Sequence, residues 1–456
     1  MTHHDEALEP ARAIARAVAQ AGGRAWVVGG FVRDRLLGLD PKDLDLEVFG
    51  IPAEDLPALL ARFGQVEPVG QSFPVYKVGA IDVALPRRES KTGHGHRGFT
   101  VEGDPTMSFA DAARRRDFTV NAIGLDPLTG EYNDPFDGRA DLAGRRLRVV
   151  DPDRFGDDSL RVLRAVQFVG RFSLQADPRT RALLAGIPLE DLPAERIWGE
   201  VEKLLLRAAT PSTGLTLALD LRVIARLLPE VQALVGCPQE PEWHPEGDVW
   251  VHTLMVVDQA RTRIDDLPRA GQIAVMLGAL CHDLGKPSTT AVIDGRIRSL
   301  GHEEAGVAPA TCLLDRLNIH AIDGIDVRRE ILAMTAHHLK PGAWYKVRAE
   351  VGDGAFRRLA QKANLEWLAR LAKSDCLGRA GTFDCTAMDW FLEKALRLGV
   401  EHQPPRPLLL GRHLIALGIA PGPAMGVLLK QIYERQLDGE ITTVDEAIEA
   451  ARGLRT

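Results

Sequence analysis

The chain has 456 residues, a length that predicts two to four domains. Its 45% hydrophobic and 26% charged content is that of a soluble globular protein and excludes a mostly disordered or fibrous chain. No apolar run reaches the roughly 18 residues a membrane span needs, and the polar, acidic opening (Met1 to Glu9) predicts no secretory signal. A net charge of −7 excludes a uniformly basic nucleic-acid binder, although Arg139 to Arg171 holds eight arginines against five aspartates. The five cysteines (Cys237, Cys281, Cys312, Cys376, Cys385) form no CxxC pair and are too few for a disulfide scaffold, which points to a reduced, cytoplasmic protein.

In chain order, Ala11 to Ala21 predicts a helix ended by Gly22-Gly23. Ala25 to Val28 reads as a short strand stopped by Gly29-Gly30, and Phe31 to Leu37 has helical spacing. Leu44 to Phe49 alternates apolar and acidic residues, the period of a half-buried strand, and Val75 to Leu85 reads as another strand carrying Asp82. Arg87 to Ser108 is rich in Gly, His, Arg and Lys and predicts a mobile loop. From about Asp153 the pattern is helical to the end, with apolar spacing of three to four residues in Leu160 to Phe168 and Arg196 to Leu206. Pro238, Pro241 and Pro245 mark one boundary near residue 240, and Pro404, Pro405 and Pro407 mark another.

Asp43-Leu44-Asp45 on a strand places both carboxylates on one face, because side chains repeat every two residues. Such a pair can hold Mg²⁺, which favours carboxylates together with substrate phosphates. Upstream, Gly29-Gly30 lets the backbone approach a ligand at a helix N-terminus, and Arg33 supplies a fork that can pair with phosphate. Five ordered motifs resemble the class II tRNA nucleotidyltransferase and bacterial poly(A) polymerase family. They are Gly29-Gly30-Phe31-Val32-Arg33-Asp34, Asp43-Leu44-Asp45, Arg115-Arg116-Asp117-Phe118-Thr119-Val120-Asn121-Ala122, Asp134-Pro135-Phe136-Asp137-Gly138 and Asp158-Ser159-Leu160-Arg161-Val162-Leu163-Arg164. The resemblance spans roughly residues 20 to 235. It implies an α+β fold: a polymerase-β-like head with a mixed sheet and helices (1–150), then an all-α neck (151–238). It also implies catalysis by Asp43 and Asp45 with Mg²⁺, and nucleotide contacts from Gly30, Arg33, Arg116, Asp117 and Asn121. Asp82 is a candidate third acid.

In that family an acidic pair followed by Arg reads CTP and ATP through protein hydrogen bonds. Asp158 and Arg161 match it and, three apart on a helix, share a face. A carboxylate can accept from the exocyclic amine of cytosine or adenine, where guanine and uracil present a carbonyl. Asp157 stands where the family usually has Glu, one methylene longer. Arg164, a further nucleotide-binding candidate, and Arg171 continue down the helix as phosphate contacts or solvated charge.

Cys281-His282-Asp283-Leu284-Gly285-Lys286 closes an apolar helical run, and adjacent His-Asp can give two ligands to one divalent ion. His252 precedes it and Asp375 follows, an order that resembles the HD metal-dependent phosphohydrolase domain (239–400). The resemblance implies a metal held by His252, His282, Asp283 and Asp375, either Mg²⁺ or a transition metal such as Ni²⁺, Mn²⁺ or Co²⁺. His302, His337 and His338 are extra polar candidates, with His302 in reach of a substrate phosphate. The Gly/Pro-punctuated tail (401–456) resembles tails that help dock tRNA.

The resemblances together imply addition of CMP and AMP from CTP and ATP to the tRNA 3′ end, plus phosphatase or 2′,3′-cyclic phosphodiesterase activity. The full-length Arg87 to Ser108 stretch favours addition of the terminal A. Poly(A) synthesis and partial CC or A addition share every head motif. A different reading makes the HD domain the working enzyme and the head an RNA-docking module.

Overall fold

The computed structural model describes residues 8–41, 43–69, 75–91 and 99–454. They form two compact units, one of residues up to 204 together with 216–222, the other of 205–215 and the chain from 223 onward. Residues up to 150 and most of 151–238 thus belong to one unit, and the chain from 239 onward to the other. Among the described residues no helix is long and apolar enough to cross a membrane.

In the first unit, helix Glu9–Gln20 buries Ala11, Ile14, Ala15 and Val18. Gly22, at φ +87°, turns the chain out of it as predicted. The strands are β1 (Arg24–Val28), β2 (Leu44–Phe49), β3 (Val66–Val69), β4 (Val75–Val78), β5 (Ile81–Ala84), β6 (Arg87–Lys91), β7 (Phe99–Gly103), β8 (Gly124–Leu125) and β9 (Tyr132–Asn133). Seven of them form one mixed sheet in the order β3-β4-β5-β2-β1-β8-β9. Within it β1 runs antiparallel to β2, and β2 runs parallel to β5. Trp26, Val28, Phe49, Phe109 and Ala122 form an apolar cluster beside it.

Two expectations change here. The run Val75 to Leu85 is two antiparallel strands, because Gly79 at φ +59° folds it into a hairpin. The stretch Arg87 to Ser108 is not simply a loop: β6 and β7 pair antiparallel, and helix Phe109–Arg114 starts at the Ser108 cap. Its Gly/His segment, residues 92–98, lies outside the described residues.

The second unit surrounds helix Arg269–Cys281, in which every residue from Ile273 to Cys281 is buried. A helix apolar all round belongs in a core. Gly271 and Gly278 let Trp367 and Met334 pack on it, at 2.9 Å and 3.1 Å from where a Cβ would sit. The unit is not all helix: Thr290–Ile293 and Arg296–Ser299 form a hairpin, as do Ala321–Ile322 and Ile325–Asp326. The tail folds around its own apolar cluster, including Leu409, Leu414, Ile432 and Ala447. Against the cysteine expectation, Cys376 and Cys385 form a disulfide, with their Cα atoms 6.0 Å apart. Helix Leu365–Leu377 and the turn after it bring together two residues that spacing alone did not pair.

Candidate functional site

The first site lies where β1 meets the next helix (Gly30–Leu36). Gly29 takes φ +73°, ψ −136°, a backbone conformation that suits glycine. A methyl group there would lie 3.3 Å from Arg116 Nη1 and 3.3 Å from Asp45 Oδ2. The turn is therefore pressed between a cation and an acid. Asp43 is exposed immediately before β2, Asp45 lies on it, and Asp82 is paired with Asp45 across the parallel β2–β5 register. Asp45 is pushed up to about 6, chiefly by burial; Arg116 opposes this, while Asp82, Asp43 and Glu47 add to it. Excess negative charge of that kind fits an oxygen-ligated divalent cation.

Glu47, next on the same alternation, was not singled out in the sequence. It is buried and accepts from Arg115 Nη2 at 2.7 Å, with Arg116 Nη2 at 3.7 Å. Arg116 Nε is buried without a hydrogen-bond partner among the described residues. Asp117 accepts from Phe118 N at 2.8 Å, Asn121 Nδ2 at 2.9 Å and Arg164 Nε at 2.6 Å. Burial would raise Asp117, but Arg164 and these hydrogen bonds hold it below the usual carboxylate range. Arg33 is buried as well: Nη1 donates to Asn121 Oδ1 at 2.8 Å, Nε donates to Asp34 at 2.8 Å, and the guanidinium stacks over Phe172 at 4.3 Å. Arg33, Asn121, Asp117 and Arg164 thus form one connected polar network. The Asp134–Gly138 motif supports it, since Gly138 packs so closely that a Cβ would sit 2.1 Å from Thr119 O.

The helix with the base-reading motif runs Leu160–Phe172, so Asp158 lies two residues ahead of it instead of on its face. Asp158 accepts from Leu160 N at 3.1 Å and from Arg196 Nη2 at 3.0 Å. Arg161 donates to Arg115 O at 2.7 Å and Arg154 O at 3.2 Å, which ties this helix to the Arg115–Ala122 motif.

The second site is a histidine and acid cluster. Helix Val249–Arg261, capped by Asp248, carries His252, and the end of helix Arg269–Cys281 delivers His282 and Asp283. His252 Nε2 lies 3.1 Å from Asp375 Oδ1 and 3.9 Å from Asp283 Oδ2, and His282 Nε2 lies 3.2 Å from Asp283 Oδ2. All four predicted ligands are therefore together. Lys286 Nζ lies 2.7 Å from Asp283 Oδ2. Gly285 permits the assembly, because a Cβ there would sit 2.0 Å from His302 O. His302 and His338 join the cluster, with His302 Nε2 3.3 Å from Asp283 Oδ1 and 3.3 Å from His338 Nε2. His337 is in none of the metal-capable groupings found among the described residues.

The tautomers follow from the partners. His282, His302 and His338 point Nδ1 at the carbonyls of Ala279, Ser299 and Thr335, at 2.8, 2.7 and 2.9 Å, so each Nδ1 carries the proton. With Nδ1 the donor, each ring presents its Nε2 inward. His282 Nε2 is buried without a hydrogen-bond partner among the described residues. Burial pushes His338 down to about 4, which keeps it neutral. Two facing lone pairs repel, whereas two ligands of one tetrahedral ion, each about 2.0–2.1 Å from it, stand about 3.3 Å apart. The donor set fits divalent metal ions. Glu246, also missed in the sequence, accepts from His252 Nδ1 and His244 Nδ1, both at 2.9 Å, an outer carboxylate of the kind that orients a ligating histidine. Burial would lower His252, but the hydrogen bonds of Asp375 and Glu246 hold it up at about 9.

The mixed sheet, the glycine turn and the acidic strand define a nucleotidyltransferase head. Residues 25–148 match the poly A polymerase head domain. The chain is 37% identical over 374 residues to the multifunctional CCA protein of Xanthomonas euvesicatoria pv. vesicatoria, covering 79% of this chain and 86% of that one. It is 40% identical over 304 residues to that of Laribacter hongkongensis, covering 65% and 71%. In fold it is similar to the Bacillus stearothermophilus CCA-adding enzyme solved with CTP, at a TM-score of 0.65, 22% identity and coverage of 100% and 99%. The Thermotoga maritima CCA-adding enzyme complexed with tRNA gives a TM-score of 0.57 at 20% identity, covering 98% and 94%. The chain belongs to the multifunctional CCA protein family, within the class II CCA-adding enzymes.

Proposed function

We propose that this protein adds CMP and AMP from CTP and ATP to the 3′ end of tRNA. The observation that carries this reading is the Gly29 turn, lodged between Arg116 Nη1 and Asp45 Oδ2, with the Arg116 Nε unpartnered. Asp43 and Asp45 would hold Mg²⁺, with Asp82 a neighbouring acid. Bound there, the ion neutralises phosphoryl charge and favours the ionised form of a primer 3′-hydroxyl. Phosphoryl transfer depends on positioning and charge neutralisation more than on covalent catalysis, so the chain's own part is to hold the triphosphate and the base. Arg116 faces the phosphates from beside Gly29 and Gly30. The network of Arg33, Asn121, Asp117 and Arg164 holds the ribose side of the site rigid. Asp158 and Arg161 read the base edge. Transcripts lacking CCA, ending in CC and ending in CCA, each supplied with single NTPs, test this. CMP and then AMP addition is expected, repeated AMP addition would assign poly(A) synthesis, and no incorporation would leave the head a docking module.

The cluster of His252, His282, Asp283 and Asp375, extended by His302 and His338, supports a second activity, metal-dependent phosphohydrolysis of the HD type. His282 Nε2, 3.2 Å from Asp283 Oδ2 and without a hydrogen bond among the described residues, and the facing Nε2 atoms of His302 and His338 carry it. Ni²⁺, Mn²⁺, Co²⁺ or Mg²⁺ held there would activate water and polarise a phosphoryl oxygen. A 2′,3′-cyclic phosphate takes up one water as a P–O bond breaks, giving a monoester. A monoester takes up another, giving a free hydroxyl and phosphate. Hydrolysis of 2′,3′-cyclic AMP and of 3′-phosphorylated tRNA, assayed with each metal, tests it; inactivity with every metal would make the cluster structural.

A further inference from the structure

Glu47 follows Asp45 by two residues on β2 and so lies on the same face of the strand. Only 2% of it is exposed, between β1 and β5 in the middle of the sheet. A carboxylate that deep needs partners. It has two, adjacent in sequence. Its Oε1 accepts from Arg115 Nη2 at 2.7 Å. Its Oε2 makes no hydrogen bond among the described residues and faces Arg116 Nη2 at 3.7 Å. The other end of that guanidinium, Arg116 Nη1, is the atom that a methyl group on Gly29 would meet at 3.3 Å. Glu47 thus holds one edge of Arg116 while the other edge turns to the glycine turn. Burial lowers Arg116 below its ordinary value, and Glu47 is the foremost charge opposing this, ahead of Asp45 and Asp117.

A buried carboxylate–arginine pair adds little net stability over an apolar pair of the same shape. Its gain is in orientation, because a fixed counter-charge removes the rotamer freedom of a long side chain before the ligand arrives. Arg115, held by Oε1, offers its carbonyl oxygen to Arg161 Nη2 at 2.7 Å. The two oxygens of one carboxylate therefore serve two parts of the site, the phosphate-facing cation and the brace of the Leu160–Phe172 helix.

Resting on the roles proposed for Arg116 and Arg161, we infer that Glu47 is a positioning residue of nucleotide addition. Its Oε2 aims Arg116 at the triphosphate, and its Oε1 separately steadies Arg115.

Glu47→Gln separates the two oxygens. The amide oxygen keeps the bond from Arg115, and the amide nitrogen falls where Oε2 faced Arg116, a donor set against a donor. The assay is single CMP incorporation by the full-length protein with Mg²⁺ into a transcript lacking CCA. KM for CTP should rise about tenfold, the weight of one hydrogen bond to a charged group, with kcat within about threefold of wild type. The inhibition constant of inorganic tripolyphosphate, which has no base, should rise with it. The ratio of kcat/KM for CTP over UTP should stay within about twofold, since Arg115 remains held. Arg116→Ala should raise KM by at least as much, and adding Glu47→Gln to it should change KM by less than about twofold, because the two residues act as one unit. Unchanged tripolyphosphate inhibition in Glu47→Gln, a discrimination that falls in step with affinity, or effects that multiply in the double variant each overturn the inference. If Glu47→Gln unfolds below the assay temperature, Glu47→Asp, which withdraws the charge by one methylene, enters the double-variant comparison, and multiplying effects again overturn it. No CMP incorporation by wild type, or an Arg116→Ala variant that binds CTP and tripolyphosphate as wild type does, would instead overturn the reading of the site itself, and this inference with it.

Discussion

Gly29→Ala isolates the feature on which the nucleotidyltransferase reading turns. At φ +73° and ψ −136° an alanine is strained by about 1–3 kcal/mol, so the turn is pressed to relax. Its methyl group would meet Arg116 Nη1 and Asp45 Oδ2 at 3.3 Å each, and both must give by a few tenths of an ångström. Misplacing a reacting group by 1 Å costs about 100-fold, so these smaller shifts of a phosphate-facing cation and a metal-facing acid should together lower kcat/KM about 10- to 100-fold. Gly22→Ala is the control. It carries a comparable strain at φ +87°, but nothing lies within 4 Å of the added carbon. It should lose about 1 kcal/mol of stability and keep kcat/KM within about twofold. The assay is single CMP incorporation into a transcript lacking CCA, with thermal unfolding recorded for each variant. If Gly29→Ala incorporates CMP like wild type, or Gly22→Ala is impaired to the same degree, Arg116 and Asp45 do not act at this turn.

Asp43→Ala and Asp45→Asn should each reduce nucleotide addition by more than the roughly 10- to 100-fold typical of outer-shell changes, and saturating Mg²⁺ should not rescue them; near-normal incorporation would remove the metal assignment. Asp158→Ala and Arg161→Ala should admit UTP and GTP, shifting discrimination by about 1–3 kcal/mol in competition assays, more than they slow transfer of the correct nucleotide. His282→Ala should abolish phosphohydrolysis of 2′,3′-cyclic AMP while CMP addition continues. A chelator selective for transition metals over Mg²⁺ should do the same, provided the cluster is loaded with a late first-row ion, because imidazole ligands favour those ions.

The parts legible in the sequence are those fixed by local spacing. The period of two running into β2 marked Asp43 just before it and Asp45 on it, and the adjacent His282-Asp283 at the end of an apolar helix marked the second cluster. What the sequence hid depends on contacts between distant residues. Glu47 reads as one more acid on a solvated strand face until Arg115, 68 residues away, is folded onto it. Glu246 sits in a Pro/Gly-punctuated loop without periodicity, and its part comes from contact with His252 and His244. The hairpin of β6 and β7 was hidden because β6, Arg87–Lys91, has no apolar residue and the short alternation of β7 follows a Gly/His/Arg-rich segment. Asp158 was placed on a helix face from its spacing to Arg161, but its carboxylate accepts from Leu160 N at the helix start, so the helix begins later. His337 and His338 are adjacent and chemically identical. Only the direction of helix Val327–His337 and its end separates the one that meets His302 from the one that does not.

The two sites differ in donor chemistry. The head offers carboxylates alone, crowded enough to push Asp45 up to about 6, a demand that a hard, oxygen-seeking cation meets. The second cluster adds imidazole nitrogens, three of them oriented by backbone carbonyls, to the carboxylates Asp283 and Asp375, a mixed set that can also take softer ions. Each site is also assembled where a glycine permits a close approach: Gly29 between Arg116 and Asp45, and Gly285 against the backbone carbonyl of His302. The reactions proposed for them are chemically consecutive. Hydrolysis of a terminal monoester, or of a cyclic phosphate through its monoester with a second water, leaves a free 3′-hydroxyl, and that hydroxyl is the nucleophile the head requires. An RNA end blocked by phosphate is inert to the first site until the second has acted on it, so the order of the two reactions is set by the chemistry of the 3′ end itself.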